Sequence, residues 1–211
     1  MENTTIKQLN WRYATKKFDN TKKLSKEQEH VLHEALRLSA SSFGIQPWMF
    51  VVVKDHKLRE ELRKHAWGQA QITDASEIIV LCAIKDMTDD NIEKYVKRTA
   101  EVKNIPIESL HDFKNMMLSS IQGRSSEDLL QWNAKQIYIA LGTLLTAAAI
   151  EHIDACPMEG FDKKKFDEVL ELNKYGITAQ VVCALGFRSE DDPAAQAKKV
   201  RFEAKDVFIE L

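Results

Sequence analysis

The chain has 211 residues, of which 44% are hydrophobic, and its 30 basic and 32 acidic residues leave a formal net charge of −2. This length and this apolar content favour one soluble globular domain over residues 1–211 rather than two full domains. A charge so close to zero gives no global attraction to nucleic acid or to an anionic membrane, so any anion site has to be local.

The three cysteines, Cys82, Cys156 and Cys183, are odd in number and show no Cys-x-x-Cys spacing. They favour reduced thiols in a cytoplasmic protein over a disulfide framework or a zinc site, and no metal site is predicted. The first five residues, Met1–Thr5, lack a basic region followed by an apolar run. We therefore predict no signal peptide.

Hydrophobic periodicity and turn residues divide the chain into helices and strands. A helix is expected to begin at Ser25, because Ser25 and Gln28 have the spacing of a capping box. Unbroken apolar runs predict three buried strands, and the polar stretch 89–120 predicts two helices that part near Pro106. The predicted helices before residue 125 lie at 4–10, 25–38, 57–66 and 89–120, and the predicted strands lie at 49–53, 78–84 and 179–187.

The longest predicted helix runs from Ser125 to His152 and is almost wholly apolar from Ile137 to Ile150. Its apolar residues cover every direction of a helical turn, so it should be covered on all sides. The run is too short to cross a bilayer. Gly142 and the alanines that follow would allow close backbone packing, either within a core or against a second copy. The helix is expected to end in a loop at residues 156–161.

A short helix is predicted at residues 162–172, and a tail begins near residue 190. The apolar end of the tail, residues 207–211, is too short to fold alone and is expected to pair with a sheet edge of its own or another subunit. Strands separated by long helices predict a central sheet sandwiched between helices.

Common nucleotide, metal and hydrolase motifs are missing from the chain: it has no Gly-x-Gly-x-x-Gly, Walker, His-Glu-x-x-His or Gly-x-Ser-x-Gly pattern. Two cation clusters stand at opposite ends instead, Arg12 with Lys16 and Lys199 with Arg201. Together with hydroxyl-rich and glutamine-rich loops before the strands, they could hold one phosphate and one polar ring. The alternative interpretation of each cluster is a solvated basic loop.

Six motifs stand in a fixed order along the chain: Arg12-x-Ala14-x-Lys16-x-Phe18-Asp19, Ser41-Ser42-x-x-x-Gln46-Pro47-Trp48, Asp74-Ala75-Ser76, Trp132-x-Ala134-Lys135-Gln136, Pro157-Met158-Glu159-Gly160-Phe161 and Lys199-x-Arg201. In this order and spacing they resemble the FMN-dependent nitroreductase family, and most of all its oxygen-insensitive NAD(P)H nitroreductase and dihydropteridine reductase branch. The resemblance covers essentially the whole chain.

The resemblance implies a single nitroreductase-like domain of α+β class, with a central mixed sheet sandwiched between helices and a C-terminal arm at about residues 190–211. It implies a homodimer in which the long helix forms the dimer core and two FMN molecules lie at the interface. FMN would be bound, and NADH or NADPH would be the co-substrate. Small-molecule electron acceptors are expected as partners, whereas nucleic acid and membrane are not.

The resemblance also assigns residues to the site. Arg12, Lys199 and Arg201 would bind the FMN phosphate, and Lys16 would stand beside the pyrimidine edge of the flavin. Backbone N–H groups near Gly160 would face the central ring, and no side chain is expected to be catalytic. The full expected cofactor set is Arg12, Tyr13, Ala14, Lys16, Ser41, Ser42, Gln71, Gln136, Pro157, Met158, Glu159, Gly160, Lys199 and Arg201, with the two serines contacting FMN across the interface; the expected substrate set is Lys16, Gln71, Met117 and Leu118.

Three positions depart from the pattern of the family. Ala14 stands where relatives often carry a serine, and Gln71 stands where some carry a lysine, so fewer charged contacts to FMN are expected. Leu118 stands near a position where some relatives place a phenylalanine. The expected function is reduction of nitroaromatics, quinones or related acceptors by a ping-pong hydride transfer. The alternatives are a flavin-sequestering module, an NAD(P)H:flavin or dihydropteridine reductase, and a helical interaction protein without flavin.

Overall fold

The computed structural model describes residues 3–211; Met1 and Glu2, which belong to the segment predicted to carry no signal peptide, lie outside this range. The helices are α1 (Thr4–Trp11), α2 (Lys26–Arg37), α3 (His56–Lys64), α4 (Gln71–Asp74), α5 (Asp89–Lys103), α6 (His111–Ile121), α7 (Ser126–Ile150), α8 (Lys163–Val169) and α9 (Ala204–Val207). The strands are β1 (Trp48–Val53), β2 (Glu77–Ile84), β3 (Asp154–Met158) and β4 (Ile177–Gly186).

The four strands form one sheet in the order β1-β2-β4-β3. Successive side chains of a strand point to opposite faces, and β2 shows this alternation clearly. Ile78 and Val80 belong to a core cluster shared with α3 and α8, whereas Ile79 and Leu81 belong to a cluster shared with α2 and α7. Both faces are therefore covered by helices, as the apolar runs predict.

The α+β class is confirmed, and the strand pairs differ in one respect from the expected mixed sheet. All three ladders are antiparallel. The one parallel pairing among residues 3–211 is an isolated bridge between Ala14 and Ala155, which attaches the segment after α1 to the outer edge of β3.

The expected loop at residues 156–161 is wrong in its first half, because Asp154–Met158 forms strand β3. Proline lacks a backbone N–H donor and is tolerated on edge strands. Pro157 satisfies that condition, since β3 is the last strand in the sheet order. Cys156 and Met158 are buried beneath it in the core.

Helix α7 begins after Ser125, whose hydroxyl oxygen accepts a hydrogen bond from the backbone N–H of Asp128 at 3.1 Å. The prediction that it is covered on all sides does not hold within one chain. One side packs against α2 and the sheet, and the other is open. A shallow hollow on the open side is lined by Ile139, Gly142, Thr143, Thr146, Ala147 and Ile150.

Helices α5 and α6 form a separate apolar cluster beside the sheet. The break predicted near Pro106 is confirmed: α5 ends at Lys103, and its C-cap residue Asn104 has a left-handed φ of 52°. In the tail, Phe208, Ile209 and Leu211 are exposed and pair with no strand of the described chain. None of the helices within residues 3–211 combines the length and apolar character needed to cross a membrane.

Candidate functional site

A cavity of about 430 Å³ lies where the two ends of the chain meet. One wall is the end of α1 and the residues that follow it, and the other is the tail after β4. The lining residues are Asn10, Trp11, Arg12, Tyr13, Ala14, Ala194, Ala195, Ala197, Lys198, Lys199 and Arg201. The structure thus brings Arg12 together with Lys199 and Arg201, which are about 190 positions away in the sequence, whereas Lys16 does not line the cavity.

The charge in this cavity is positive and lacks a carboxylate partner in the lining. The ammonium of Lys199 donates hydrogen bonds to the carbonyl oxygens of Leu9, at 2.8 Å, and Arg12. Burial, and then the positive charges of Arg12 and Arg201, lower the pKa of Lys199. The Nε of Arg12 is buried without a hydrogen-bond partner. An anion in the cavity would relieve this repulsion and accept from unpaired donors.

Asp192 fixes the segment between Tyr13 and Lys17 against the tail. Its Oδ2 accepts hydrogen bonds from the Tyr13 hydroxyl at 2.8 Å and from the backbone N–H groups of Lys16 at 2.9 Å and Lys17 at 3.2 Å. Its Oδ1 accepts from the N–H of Ala194 at 3.0 Å. Burial raises the pKa of Asp192, but these four bonds outweigh it and leave the pKa below its usual value. The carboxylate therefore fixes the relative positions of the two segments that line the cavity.

A second, partly buried group contacts the same segment. The guanidinium of Arg188 lies 4.4 Å from the ring centre of Trp11 and 4.5 Å from that of Tyr13. Its Nε donates to Oδ1 of Asp154 at 2.8 Å, and its backbone N–H donates to Oδ2 at 2.8 Å. The aromatic rings beside Arg12 are thus held by a cation between them and by an ion pair to β3.

The segments that carry Lys16 and Gln71 are attached to β3 and to the residues just after it, respectively. Burial raises the pKa of the Cys156 thiol, while the positive charges of Lys16 and Arg12 and the side-chain amide of Gln71 act in the opposite direction. The parallel bridge from Ala14 to Ala155 brings the Arg12 segment to β3. The segment that carries Arg12 and Lys16 therefore runs along the outer edge of β3.

The loop after α3 is attached to the end of β3. The side-chain amide of Gln69 donates to the carbonyl oxygen of Gly160 at 2.8 Å, and the N–H of Asp162 donates to the carbonyl of His65 at 2.8 Å. Trp67, with φ of 54°, is 81% exposed but lays its ring on Gly160. A Cβ added to Gly160 would lie 2.4 Å from Cζ3 of Trp67, so glycine is required for this contact.

Trp67 is the main residue near the end of β3 that the sequence-based assignment missed. The resemblance motifs give Gly160 the role of admitting a cofactor, whereas the structure shows an indole as its immediate neighbour. The sequence signal that could have identified Trp67 is its place directly before Gly68 in a polar loop, because a tight loop there leaves a large aromatic side chain exposed.

Ser41, Ser42 and Gln136 form a separate group. The backbone N–H of Ser42 donates to Oε1 of Gln136 at 2.7 Å, and Nε2 of the same amide donates to the carbonyl of Trp132 at 3.2 Å. The hydroxyl oxygen of Ser41 accepts from the N–H of Gln46 at 2.9 Å. None of the three residues lines the cavity beside Arg12. Within one chain, the expected cofactor residues therefore fall into two groups.

The expected substrate residues on α6 are placed differently from one another. Met117 has no exposed surface and packs in the α5–α6 cluster, so its side chain offers nothing to a substrate in this chain. Leu118 is half-buried against the same cluster. Met117 is therefore removed from the expected substrate residues. It lies with Ile121 on the face of α6 that packs in the core, and the opposite face of the helix is turned to solvent.

Around the end of β3, Pro157 is half-buried, Met158 is buried and Glu159 is exposed. Burial, and then the hydrogen bond to the Glu159 carboxylate, raise the pKa of the Tyr138 hydroxyl on α7. Among residues 3–211, no group of three His, Cys, Asp or Glu side chains is arranged to hold a metal ion.

Comparisons with known proteins identify the family to which this chain is similar. The model of the Nitroreductase family matches residues 9–187. A Staphylococcus haemolyticus protein named "Putative NAD(P)H nitroreductase SH0546" is 36% identical over 216 residues, which cover 99% of this chain and 97% of that protein. A Staphylococcus epidermidis protein of the same description is 36% identical over 218 residues, with coverage of 99% and 97%.

Solved structures show the same fold. A nitroreductase family protein from Streptococcus pneumoniae superposes with a TM-score of 0.83 at 24% identity, covering 98% of this chain and 99% of that one. A structure from Exiguobacterium sibiricum, described as "a putative nitroreductase in complex with FMN", has a TM-score of 0.82 at 20% identity, with coverage of 98% and 97%.

Proposed function

Since this chain belongs to the nitroreductase family, we propose that it is an FMN-dependent oxidoreductase that uses NADH or NADPH to reduce nitroaromatics, quinones or related small acceptors. The names of its relatives support the nicotinamide co-substrate, and the FMN complex with the same fold supports the cofactor. FMN, when bound, supplies an electron carrier that can be reduced by NAD(P)H and reoxidised by an acceptor in a ping-pong cycle.

The observation that carries the proposal is the positive cavity beside Arg12. A phosphate monoester has several acceptor oxygens and about two negative charges, which suit the four cations of the lining, Arg12, Lys198, Lys199 and Arg201, and the buried unpaired Nε of Arg12. Lys199 and Arg201 close the cavity from the tail side. These residues fit the phosphate of FMN, and Ala14 leaves them without the extra hydroxyl that a serine would add.

The surface next to the cavity suits the ring of the same cofactor. Lys16 would place a positive charge beside the pyrimidine edge, where it would stabilise negative charge, and the amide of Gln71 would offer both donors and an acceptor. Backbone N–H groups at Glu159 and Gly160 would complete the donor set. We expect Glu159 to act through its backbone N–H and not as an acid or base. The chain's contribution is binding and orientation.

We further propose that the working protein is a homodimer with two sites at its interface. Ser41, Ser42 and Gln136 lie apart from the Arg12 cavity in one chain, which is expected if they complete the site of a partner copy. The open side of α7 carries small and apolar residues suited to close packing. The exposed apolar tail would then pair with a sheet edge, and β1 is an open edge. Three buried free thiols favour a cytoplasmic location.

Steady-state kinetics of FMN-loaded protein test this function. NADH or NADPH would be varied against fixed concentrations of a nitroaromatic, a quinone and a pteridine under nitrogen. We expect parallel double-reciprocal lines, because one site serves donor and acceptor in turn. A protein that binds FMN but oxidises neither nucleotide with any acceptor would instead be a flavin-sequestering module.

A further inference from the structure

Helix α3 buries an arginine whose role the site assignments do not explain. Arg59 is 3% exposed, and all of its side-chain hydrogen bonds go to main-chain carbonyl oxygens. Its Nε donates to Ile72 at 2.6 Å, its Nη2 to Thr73 at 3.0 Å and Ala75 at 2.5 Å, and its Nη1 to Ser76 at 3.2 Å. One guanidinium thus binds four carbonyls of a five-residue segment.

This arrangement is costly for stability alone. Carbonyl oxygens satisfy the donors of a guanidinium but do not cancel its charge, and a buried charge without a hydrogen-bonded counter-ion is unfavourable. Burial lowers the pKa of Arg59, and Asp74 and Glu77 counteract this through their charges and not through hydrogen bonds. An apolar residue of similar volume would avoid the penalty. The buried charge of Arg59 therefore indicates a role beyond packing.

The segment that Arg59 holds could not keep its shape unaided. Helix α4 is a single turn of four residues, and its N-cap residue Ala70 provides no side-chain hydrogen bond. Such a short helix has no intrinsic stability. A second arginine of α3, Arg63, one turn further on, donates to the carbonyl of Gly68 at 2.8 Å and to Oγ1 of Thr73 at 3.1 Å. Helix α3 therefore determines the course of residues 68–76.

Gln71 is the first residue of α4 and is 9% exposed, and it lies two residues after Gln69, whose side-chain amide donates to the carbonyl oxygen of Gly160 at 2.8 Å just beyond β3. We propose that Arg59 is a positioning residue of the cofactor site: it fixes the main chain of residues 72–76, so that Gln71 is presented to the flavin, and it adds a buried positive charge on that side of the site. This inference rests on the proposed function.

Two substitutions separate the effect of the hydrogen bonds of Arg59 from the effect of its charge. Arg59→Met keeps most of the volume, removes the charge and leaves four carbonyls without a donor. Arg59→Lys keeps the charge but cannot reproduce the planar four-bond geometry. We expect Arg59→Met to weaken FMN binding about 10-fold or more, the usual size for loss of a residue that orients a ligand-binding group. The midpoint potential of bound FMN should become more negative in Arg59→Met and stay close to wild type in Arg59→Lys.

Leu62→Ala is the matched control, because Leu62 lies on the same helix, is fully buried and packs in the core on the α3 side of the sheet. It should lower the melting temperature while leaving FMN affinity and potential unchanged. Dissociation constants would be measured by quenching of FMN fluorescence, and potentials by equilibration with reference dyes, at a temperature where circular dichroism shows every variant folded.

The double variant Arg59→Met with Gln71→Ala tests whether Arg59 affects FMN binding through Gln71. If Arg59 acts through Gln71, the double variant should bind FMN hardly more weakly than the weaker of the two single variants. Fully additive losses, or an Arg59→Met protein with the affinity and potential of Leu62→Ala, would overturn the inference. If Arg59→Met does not fold, a wild-type affinity in Arg59→Lys overturns it equally. A wild-type chain that binds no FMN would contradict the proposed function itself.

Discussion

At the scale of single residues, Asp192 connects the two ends of the chain. Its position, 1% exposed and one residue before Pro193, lets one carboxylate accept from a tyrosine hydroxyl and three backbone N–H groups. The Arg12 segment and the tail that carries Lys199 and Arg201 are joined through it. The geometry of the positive cavity thus depends on a negative charge outside its lining.

The pH dependence of folding should reveal this carboxylate. The pKa of Asp192 is lower in the folded chain than the unfolded value of about 3.9, so its contribution is present above that pH and is lost as the pH falls through the folded pKa. Asp192→Asn should reduce the free energy of unfolding at pH 7 by about 1–3 kcal/mol and flatten its decline below about pH 4. Urea unfolding from pH 3 to 7 would measure both effects. If the free energy of unfolding falls equally steeply below about pH 4 in both proteins, this account is contradicted.

The proposed binding of the FMN phosphate by Arg201 gives a separate prediction. Arg201 is exposed, and its guanidinium donates only to the carbonyl of Val200 next to it, at 2.6 Å. Its removal should therefore spare the fold. Arg201→Ala should weaken FMN binding about 10- to 100-fold, because a hydrogen bond to a charged group contributes about 1.5–3 kcal/mol. Lys205→Ala, a cation of the tail outside the cavity, is the control. Equal FMN affinities in both variants would exclude Arg201 from the site.

At the scale of elements, α7 shows what periodicity can and cannot predict. The boundaries follow from Ser125 and the apolar run, and the absence of a polar face predicts cover all round. One chain supplies that cover on one side only. Whether the other side meets a core or a second copy depends on tertiary placement, which a single sequence does not encode locally.

A charge on the open side of α7 should separate the proposed dimer. Ile139 is half exposed in the hollow, and Ile139→Asp would bury an unpaired carboxylate in the interface. We expect the dimer dissociation constant to rise by at least about 10-fold, as measured by sedimentation equilibrium. Val102→Asp, at an exposed apolar position on α5, is the control. A dimer unaffected by Ile139→Asp would place the interface elsewhere.

Strand β3 was missed because local chemistry and tertiary structure conflict there. Proline and neighbouring polar residues indicate a loop, and only the position of β3 at the sheet edge makes Pro157 acceptable. The antiparallel partners of the sheet are likewise set by connections between elements. By contrast, the capping box of α2 depends on neighbouring residues alone, and it is present as predicted.

At the scale of the whole molecule, the sequence motifs identify the family, and five of their expected cofactor residues line the cavity: Arg12, Tyr13, Ala14, Lys199 and Arg201. That Arg12 meets Lys199, and that Ser41 does not line the same cavity, follows only from the folded chain. Trp67 and Arg59 also escape the motifs, since one acts through its contact with Gly160 and the other through backbone carbonyls.

The tail gives a prediction at this scale. Its last residues, Val207–Leu211, expose apolar side chains and stand apart from the cations of the cavity. A chain ending at Asp206 should still bind FMN phosphate through Arg12 and Arg201, yet associate more weakly, because the tail no longer covers a sheet edge. Sedimentation equilibrium of both lengths would measure this. Unchanged association would show that the tail is not part of the interface.

Anaerobic reduction tests the central claim most directly. Purified protein would be loaded with FMN, freed of excess by gel filtration, and titrated with NADH and then NADPH while the visible flavin absorption is recorded. We expect the yellow colour to stay with the protein and to bleach with one equivalent of at least one nucleotide, then return when a quinone is added. A protein that emerges colourless, or whose bound flavin stays oxidised with both nucleotides, would contradict the account.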